Sequence, residues 1–337
     1  MKITILGAGT WGTALAILLD SNGHEVTLWS AVEKEIVAMK EDRTSIRNLP
    51  GAVMPERVKL TTDIDEALSG NIDIIVMATA SIFVRKTARL IAPKVKDGQI
   101  IVNVAKGIEE ETLMTMTDII KEEIPNCEAC ILSGPTHAEE VSVHIPSTIV
   151  AGSHSKAAAE KIQDAFMTEY FRVYTSPDVL GIELGGSLKN VIALAAGIAD
   201  GLGFGDNTKA ALMTRGIAEI SRLGVKMGGH PETFSGLSGM GDLMVTCTSK
   251  HSRNRNAGFL MGQGKSCDTA MGLVGQVVEG VYSAKAALAL SKKFDVSMPI
   301  VEQVCQVLFN DKSPAKAVHD LFTRDKKAEH SDLSWDE

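Results

Sequence analysis

Six residues near the amino terminus, Gly7-Ala8-Gly9-Thr10-Trp11-Gly12, restrict the fold more than any other part of the chain. They follow the apolar run 2–6 at once and open a helical pattern over 13–21. In that setting the first glycine permits a tight turn, and the second lets backbone approach a pyrophosphate. The third allows close packing of helix on strand, while the helix N-terminus faces the negative charge. The strand-turn-helix context favours a dinucleotide cradle over a purely structural glycine turn.

The stretch that follows agrees with such a cradle. Strand-like runs recur at 2–6, 25–29, 58–61, 73–78, 99–105, 129–133 and 147–151, with a weaker eighth at 171–174. Most are apolar without strict alternation, the pattern of strands buried on both faces of a parallel sheet. Helical patterns lie between them at 13–21, 31–40, 83–91, 113–124 and 156–167. The alternation predicts a Rossmann-type, doubly wound α/β sheet, with an irregular loop over 43–55. After Ser176-Pro177-Asp178 the strand signals fade, and helical patterns take over at 179–200, 210–227, 257–261, 280–293 and 298–309. The expected organisation is therefore a dinucleotide-binding domain over 1–178 and an all-α substrate and catalytic domain over 179–337. The charged tail from Asp325 is expected to fray.

The second half opens on an unusual run, Gly185-Gly186-Ser187-Leu188-Lys189-Asn190-Val191-Ile192-Ala193-Leu194-Ala195-Ala196-Gly197, in which Lys189 is the only charge between Glu183 and Asp200. Such a helix packs closely against something. Its ammonium is either led out to water along its own stem or held dry and poised for proton transfer, because desolvation lowers a lysine pKa. The helix is expected to be too short, and Lys189 too central, for it to span a bilayer.

Other polar residues gather near the expected carboxyl rim of the sheet. Strand five runs into Lys106, and strand six ends in Ser133-Gly134-Pro135-Thr136-His137-Ala138, at the edge where open α/β sheets bind ligands. Ser252-Arg253-Asn254-Arg255-Asn256 concentrates two guanidiniums and two amides, donors that suit phosphate oxygens, although a solvated helix start explains it equally. Asp242, after Gly239-Met240-Gly241, reads either as a helix cap or as part of a site. At the end of strand two Ser30 stands where an NAD-selective site usually places an acid. With Lys34 one turn on, that favours NADP(H), NAD(H) remaining the alternative.

Composition excludes several classes. A net charge of −8 argues against nucleic acid or an anionic membrane as the main partner. Five cysteines, an odd number without a secretory signal, point to a reducing cytoplasm. Cys127-Glu128-Ala129-Cys130 is a lone C-x-x-C attributed to chance spacing, and His137, His144 and His154 lack ligand spacing, so no metal is expected.

Taken together, Gly7–Gly12, Ala105-Lys106-Gly107-Ile108-Glu109, Leu132-Ser133-Gly134-Pro135-Thr136, Gly186-Ser187-Leu188-Lys189-Asn190, Gly239-Met240-Gly241-Asp242-Leu243, Ser252-Arg253-Asn254 and Val277-Val278-Glu279-Gly280 closely resemble the bacterial NAD(P)-dependent glycerol-3-phosphate dehydrogenases along nearly the whole chain. The resemblance implies reversible reduction of dihydroxyacetone phosphate to sn-glycerol 3-phosphate, supplying phospholipid synthesis. It implies Lys189 as proton donor and acceptor, with Lys106 touching both substrate and cofactor. Gly134, Thr136, Asp242, Ser252, Arg253 and Asn254 would line the substrate, Arg253 and Asn254 holding its phosphate. Thr10, Trp11, Ala138, Arg253, Val277 and Glu279 would border the dinucleotide. Relatives usually carry Arg or His at the position of Ala31, serine at that of Thr136 and proline at that of Ala80. The competing readings are a 3-hydroxyacid or 6-phosphogluconate type dehydrogenase and a redox sensor that binds dinucleotide without turnover. A homodimer through the helical half is compatible with the sequence and specified by no stretch of it.

Overall fold

The computed structural model describes residues 1–44 and 49–329. Residues 45–48 of the predicted loop and 330–337 of the predicted tail lie outside the described residues. Eight strands form one sheet: β1 (Lys2–Leu6), β2 (Glu25–Trp29), β3 (Lys59–Thr61), β4 (Ile74–Met77), β5 (Ile100–Asn103), β6 (Glu128–Ser133), β7 (Ser147–Gly152) and β8 (Phe171–Ser176). Their order is β3-β2-β1-β4-β5-β6-β7-β8. β1 pairs in parallel with β2 on one side and β4 on the other, so the chain reverses its direction of winding between them and leaves a crevice at their carboxyl ends.

Helices α1 (Thr10–Ser21), α2 (Glu33–Glu41), α3 (Ile64–Ala67), α4 (Val84–Ile91), α5 (Met116–Glu123), α6 (Ala138–Val141) and α7 (Lys156–Phe166) cover this sheet. Ile74 and Val76 of β4 join a core with α1 and α7 residues. Ile75 and Met77 join another core with α4 and α5. Both faces are buried, which is why the strand sequences do not alternate. One junction departs from the parallel expectation: β6 and β7 are antiparallel, with Ile131 opposite Gly152. The connection between them holds only the single-turn α6, whereas a parallel pair needs a full crossover.

The rest of the chain is helical: α8 (Val179–Gly201), α9 (Asp206–Lys226), α10 (Pro231–Ser235), α11 (Asp242–Thr248), α12 (Arg253–Gly262), α13 (Cys267–Val274), α14 (Glu279–Lys293), α15 (Pro299–Phe309) and α16 (Pro314–Phe322). The short α10, together with α13 and α16, has no counterpart in the sequence reading, and α11 was anticipated there only as a helix following Asp242. α8 is the axis of this half. Asp178 caps it by accepting from Gly181 N at 2.9 Å, and its other oxygen accepts from His230 N and Thr233 Oγ1. At 23 residues and a mean hydropathy of 1.4, α8 is long and apolar enough to cross a membrane, contrary to the expectation that it is too short. Its apolar surface is instead covered by protein, 94% of that window being buried.

One face of α8 docks onto the sheet domain. Glu183 accepts from the Thr117 amide at 2.9 Å and from the Thr117 hydroxyl. Ser187 Oγ, one turn on, donates to the Gly107 carbonyl at 3.0 Å, and Asn190 Nδ2 to the Lys106 carbonyl at 3.4 Å. These residues recur at helical spacing, so one stripe of α8 grips the carboxyl rim. Further along α8 the helix crosses α12 at backbone distance: a Cβ added to Gly258 would lie 2.2 Å from the Leu194 carbonyl oxygen.

Gly258→Ala must open that crossing and is expected to cost about 1–3 kcal/mol of stability. Gly272→Ala, in α13 with nothing within 4 Å of the added carbon, is expected to gain about 0.5–1 kcal/mol. Urea unfolding of both variants checks the pair, and equal effects would refute the crossing as the cause.

Candidate active site

The glycine turn has the shape that its spacing predicts. Gly7 sits at φ +124°, and a Cβ there would lie 2.7 Å from the Ala78 carbonyl. A Cβ at Gly12 would lie 2.0 Å from the Gly7 oxygen, whereas one at Gly9 would meet nothing within 4 Å. The first and third glycines therefore close the turn and the middle one opens onto space. No side chain caps α1 and no acid occupies its first turn, so its leading amides remain available to an anion. This cradle fits a dinucleotide pyrophosphate. Trp11 packs on the adjacent core, where Ala138 of α6 is also buried.

Selectivity at the ribose looks different in three dimensions. Lys34 is exposed on α2. Ser30 is buried at the end of β2 and donates to Glu35 Oε2 at 2.9 Å. A carboxylate thus folds back to the place where the sequence shows only serine. Its five-residue spacing from Ser30 is a faint signal that sequence reading missed.

Across the rim, Glu279 begins α14 and reaches the sheet domain, accepting from Ser81 N at 3.0 Å and from Ser81 Oγ. Burial raises its pKa, while the Ser81 bonds and Arg253 act in the other direction. Ser81 was also missed, and the exposed Ile82 and Phe83 follow it on the same turn. Val277 is half-buried two residues before Glu279.

The two lysines meet at one carboxylate. Lys189, 5% exposed, pairs with Asp242 Oδ1 and donates to Thr246 Oγ1 at 2.6 Å. Lys106 Nζ lies 2.6 Å from Asp242 Oδ2 and donates to the Gly134 carbonyl at 3.2 Å. Asp242 follows a π-helical turn, Leu237–Gly241, and is the first residue of α11, with Gly241 as the N-cap. It is therefore an ionic bridge between the domains and not the cap that the sequence allowed. Thr246, one turn further along α11, was not foreseen. α8 comes this close because position 186 is glycine: a Cβ there would lie 2.9 Å from Ser133 Oγ.

Burial lowers the Lys189 pKa to about 7, Asp242 opposing the fall and Lys106 adding to it. For Asp242, burial pushes upward, but the two lysines outweigh it and hold its pKa below the usual value. A lysine near neutrality can both give and take a proton at physiological pH.

The five-residue basic cluster divides. Ser252 caps α12 by accepting from Arg255 N at 3.2 Å. Arg255 is committed to Asp200 at 2.6 Å, and Asn256 donates to the Lys250 carbonyl. Asn254 is buried, donating to Asn190 Oδ1 at 2.9 Å and accepting from Gly280 N at 2.8 Å. Arg253 alone is exposed without a hydrogen bond or ion pair among the described residues, and it borders a cavity of about 400 Å³ with His251 and Phe259. Two of the four expected phosphate donors are thus spent on structure. Thr136 is half-buried, its hydroxyl donating to the Gly134 carbonyl at 3.3 Å. Burial raises the Cys130 thiol to about 12, and among the described residues no group of three or more His, Cys, Asp or Glu is placed to hold a metal.

The chain matches known proteins over both halves. The profile of the NAD-dependent glycerol-3-phosphate dehydrogenase N-terminus matches residues 2–159, and that of the C-terminus residues 178–319. A glycerol-3-phosphate dehydrogenase [NAD(P)+] of Agathobacter rectalis is 59% identical over 334 residues, covering 99% of each chain. One from Fusobacterium nucleatum subsp. nucleatum is 56% identical, covering 98% of each. The crystal structure of glycerol-3-phosphate dehydrogenase from Coxiella burnetii superimposes with a TM-score of 0.92 at 35% identity, over 96% of this chain and 99% of that one.

Were Lys189 a proton donor, its pKa near 7 would leave a definite signature. kcat/KM for ketone reduction should fall as pH rises through about 7, because the ammonium is lost, and that for alcohol oxidation should rise through the same pH. Asp242→Asn removes the group that favours the ammonium, so both limbs should move to lower pH. Unmoved limbs in pH–rate profiles of this variant would refute the electrostatic role.

Proposed function

The chain belongs to the family of NAD-dependent glycerol-3-phosphate dehydrogenases, and from that premise we propose how its residues divide the work. The reaction is the reversible, NAD(P)H-dependent reduction of dihydroxyacetone phosphate to sn-glycerol 3-phosphate, an output suited to glycerophospholipid synthesis. The observation that carries the assignment of roles is the Lys106–Asp242–Lys189 bridge between the segment after β5 and the helical half.

Gly7, Gly9 and Gly12 would hold the pyrophosphate of the dinucleotide, which when bound would supply a hydride to the ketone carbon. Lys189 faces the oxygen on which negative charge then grows, stabilises it, and delivers the proton. Lys106 adds a second positive charge at the same oxygen and helps keep the Lys189 pKa low. Asp242 aims both lysines and balances their charge while the site is empty. Arg253, with the remaining amide hydrogen of Asn254, grips the phosphate and turns remote binding energy into orientation at the carbon. Gly134 and Thr136 border the substrate on the sheet side, Ser252 on the helical side. Glu279, Val277, Ala138, Trp11 and Thr10 flank the dinucleotide, with Glu279 and Ser81 closing the two halves over it. The two units that share this work are 1–178, for the dinucleotide, and 179–337, for substrate and catalysis. Five free cysteines suit the cytoplasm as compartment.

For the cofactor, the missing acid at Ser30 and the exposed Lys34 support NADP(H). The Glu35 carboxylate held on Ser30 supports NAD(H) as the second reading, because it would repel a 2′-phosphate.

Two measurements test these roles. Lys189→Met should bind NADPH near normally by fluorescence titration yet lose about 10²–10⁴-fold in kcat, and wild-type turnover would reject the assignment. Comparing kcat/KM for NADPH and NADH, Lys34→Ala should lower the NADPH preference while leaving NADH unaffected. An unchanged ratio would remove Lys34 from the site.

A further inference from the structure

We propose that Arg85 is a positioning residue for this reaction, fixing through Glu109 the segment of chain that carries Lys106. The proposal rests on the reading above, in which Lys106 adds its charge beside Lys189.

Glu109 ends the motif Ala105-Lys106-Gly107-Ile108-Glu109, and it has no part in the division of roles above. Its carboxylate accepts a two-pronged bond from Arg85 of α4: Nε donates to Oε1 at 2.8 Å and Nη2 to Oε2 at 2.7 Å. Both side chains are largely buried, and a fork of this kind fixes orientation as well as distance. Arg85 holds the Glu109 carboxyl below its usual pKa range, so the pair stays ionised across neutral pH.

The segment is otherwise held mainly from one side. Beyond Lys106 it turns back on itself, Ile108 bridging to Thr115 and Glu109 N donating to the Met114 carbonyl at 3.0 Å. Ile108 lies in the core of the helical half, with Leu113 packed against it. From α8, Asn190 and Ser187 each give one bond, to the carbonyls of Lys106 and Gly107. A body attached along one side can still pivot. The sheet domain answers from the other side at two places: a Cβ added to Gly107 would lie 2.4 Å from the Ser81 Cβ, and Arg85, four residues on from Ser81, grips Glu109. Pivoting would carry the Lys106 ammonium off Asp242 Oδ2 and the Gly134 carbonyl. The remaining nitrogen of the guanidinium, Nη1, is spent on Glu122 and Glu123 of α5. Arg85 thus has one arm toward Lys106 and another that ties α4 to α5, and the two are separable by mutation.

Displacing Lys106 has a readout that a loss of stability alone does not. Of the groups facing Lys189, Asp242 and Cys247 on α11 favour its ammonium and Lys106 opposes it. His137, at the start of α6, rests neutral, its pKa lowered to about 4 chiefly by burial. Withdrawing Lys106 therefore raises the Lys189 pKa.

The test is kcat/KM for dihydroxyacetone phosphate reduction by NADPH, measured against pH on the whole enzyme. Lys106→Met sets the reference: the falling limb should move to higher pH, opposite to Asp242→Asn. Arg85→Gln should move it the same way but less far, with kcat lowered about 10–10²-fold and NADPH binding near normal by fluorescence titration. Glu109→Gln leaves the arm to α5 intact, so it keeps the idea testable should α4 fail to pack in Arg85→Gln, and it should reproduce both effects. The double variant should be no worse than the worse single one, because both remove one contact. Glu122→Gln, at an exposed carboxylate on the other arm, should keep the wild-type limb and kcat. If Lys106→Met shifts the limb and Glu109→Gln leaves it in place, the clamp is overturned, as it is by an equal shift in Glu122→Gln. A limb that Lys106→Met itself leaves in place brings down the assignment of Lys106, and the clamp with it.

Discussion

The molecule is organised around the cost of keeping an ammonium dry. Lys189 stands on a helix buried along nearly its whole length, and Asp242 is what makes that position tolerable. Removing one partner from a buried ion pair typically costs about 3–5 kcal/mol, so the pair constrains everything that brings it together. Asp242 does more than neutralise. Its second oxygen holds Lys106 from the sheet domain, so the same carboxylate that compensates Lys189 also ties the two halves of the chain at the reacting centre. The charge pattern of the site, two cations about one anion, leaves a net positive pocket for a phosphorylated ketone inside a protein of net charge −8.

The docking of α8 turns that electrostatic arrangement into geometry. Glu183 binds the start of α5, Ser187 and Asn190 bind the segment after β5, and Gly186 lets the helix approach Ser133. Each contact lies within a turn or two of Lys189, so the lysine is held by its own helix and not by a flexible loop. Asn190 then passes the constraint to Asn254, and Asn254 to the start of α14. Glu279 closes the circuit by returning to Ser81 on the sheet side. The residues proposed for substrate grip, dinucleotide border and proton donor are joined by one chain of hydrogen bonds.

Much of this was legible before any coordinates. The glycine turn announces itself because its constraints are local: three residues, each excluded by backbone contact from carrying a side chain or left open to a ligand. The eight strands could be found because burial on both faces leaves long apolar runs. Direction could not be read, which is why the antiparallel β6–β7 pairing came as a correction. The residues with chemistry were found largely through family resemblance, and their partners were not. Thr246, Ser81 and Glu35 become relevant only once distant segments fold together, and nothing in their own neighbourhoods marks them. Arg255 shows the converse: by type it suits phosphate, and the sequence left its role open, but Asp200, 55 positions earlier, claims it.

The crossing of α8 and α12 has a consequence for which substrates can be used. Lys189 rides on the first helix and Arg253 begins the second, and the two touch through backbone at Gly258. Side-chain rotamers can absorb small errors in most sites, but main chain lying on main chain has almost no slack. The backbone positions of Lys189 and Arg253, proposed above to meet the carbonyl and the phosphate, are consequently held at a set separation. Selectivity for substrate length would on that proposal be set by main chain and not by adaptable side chains.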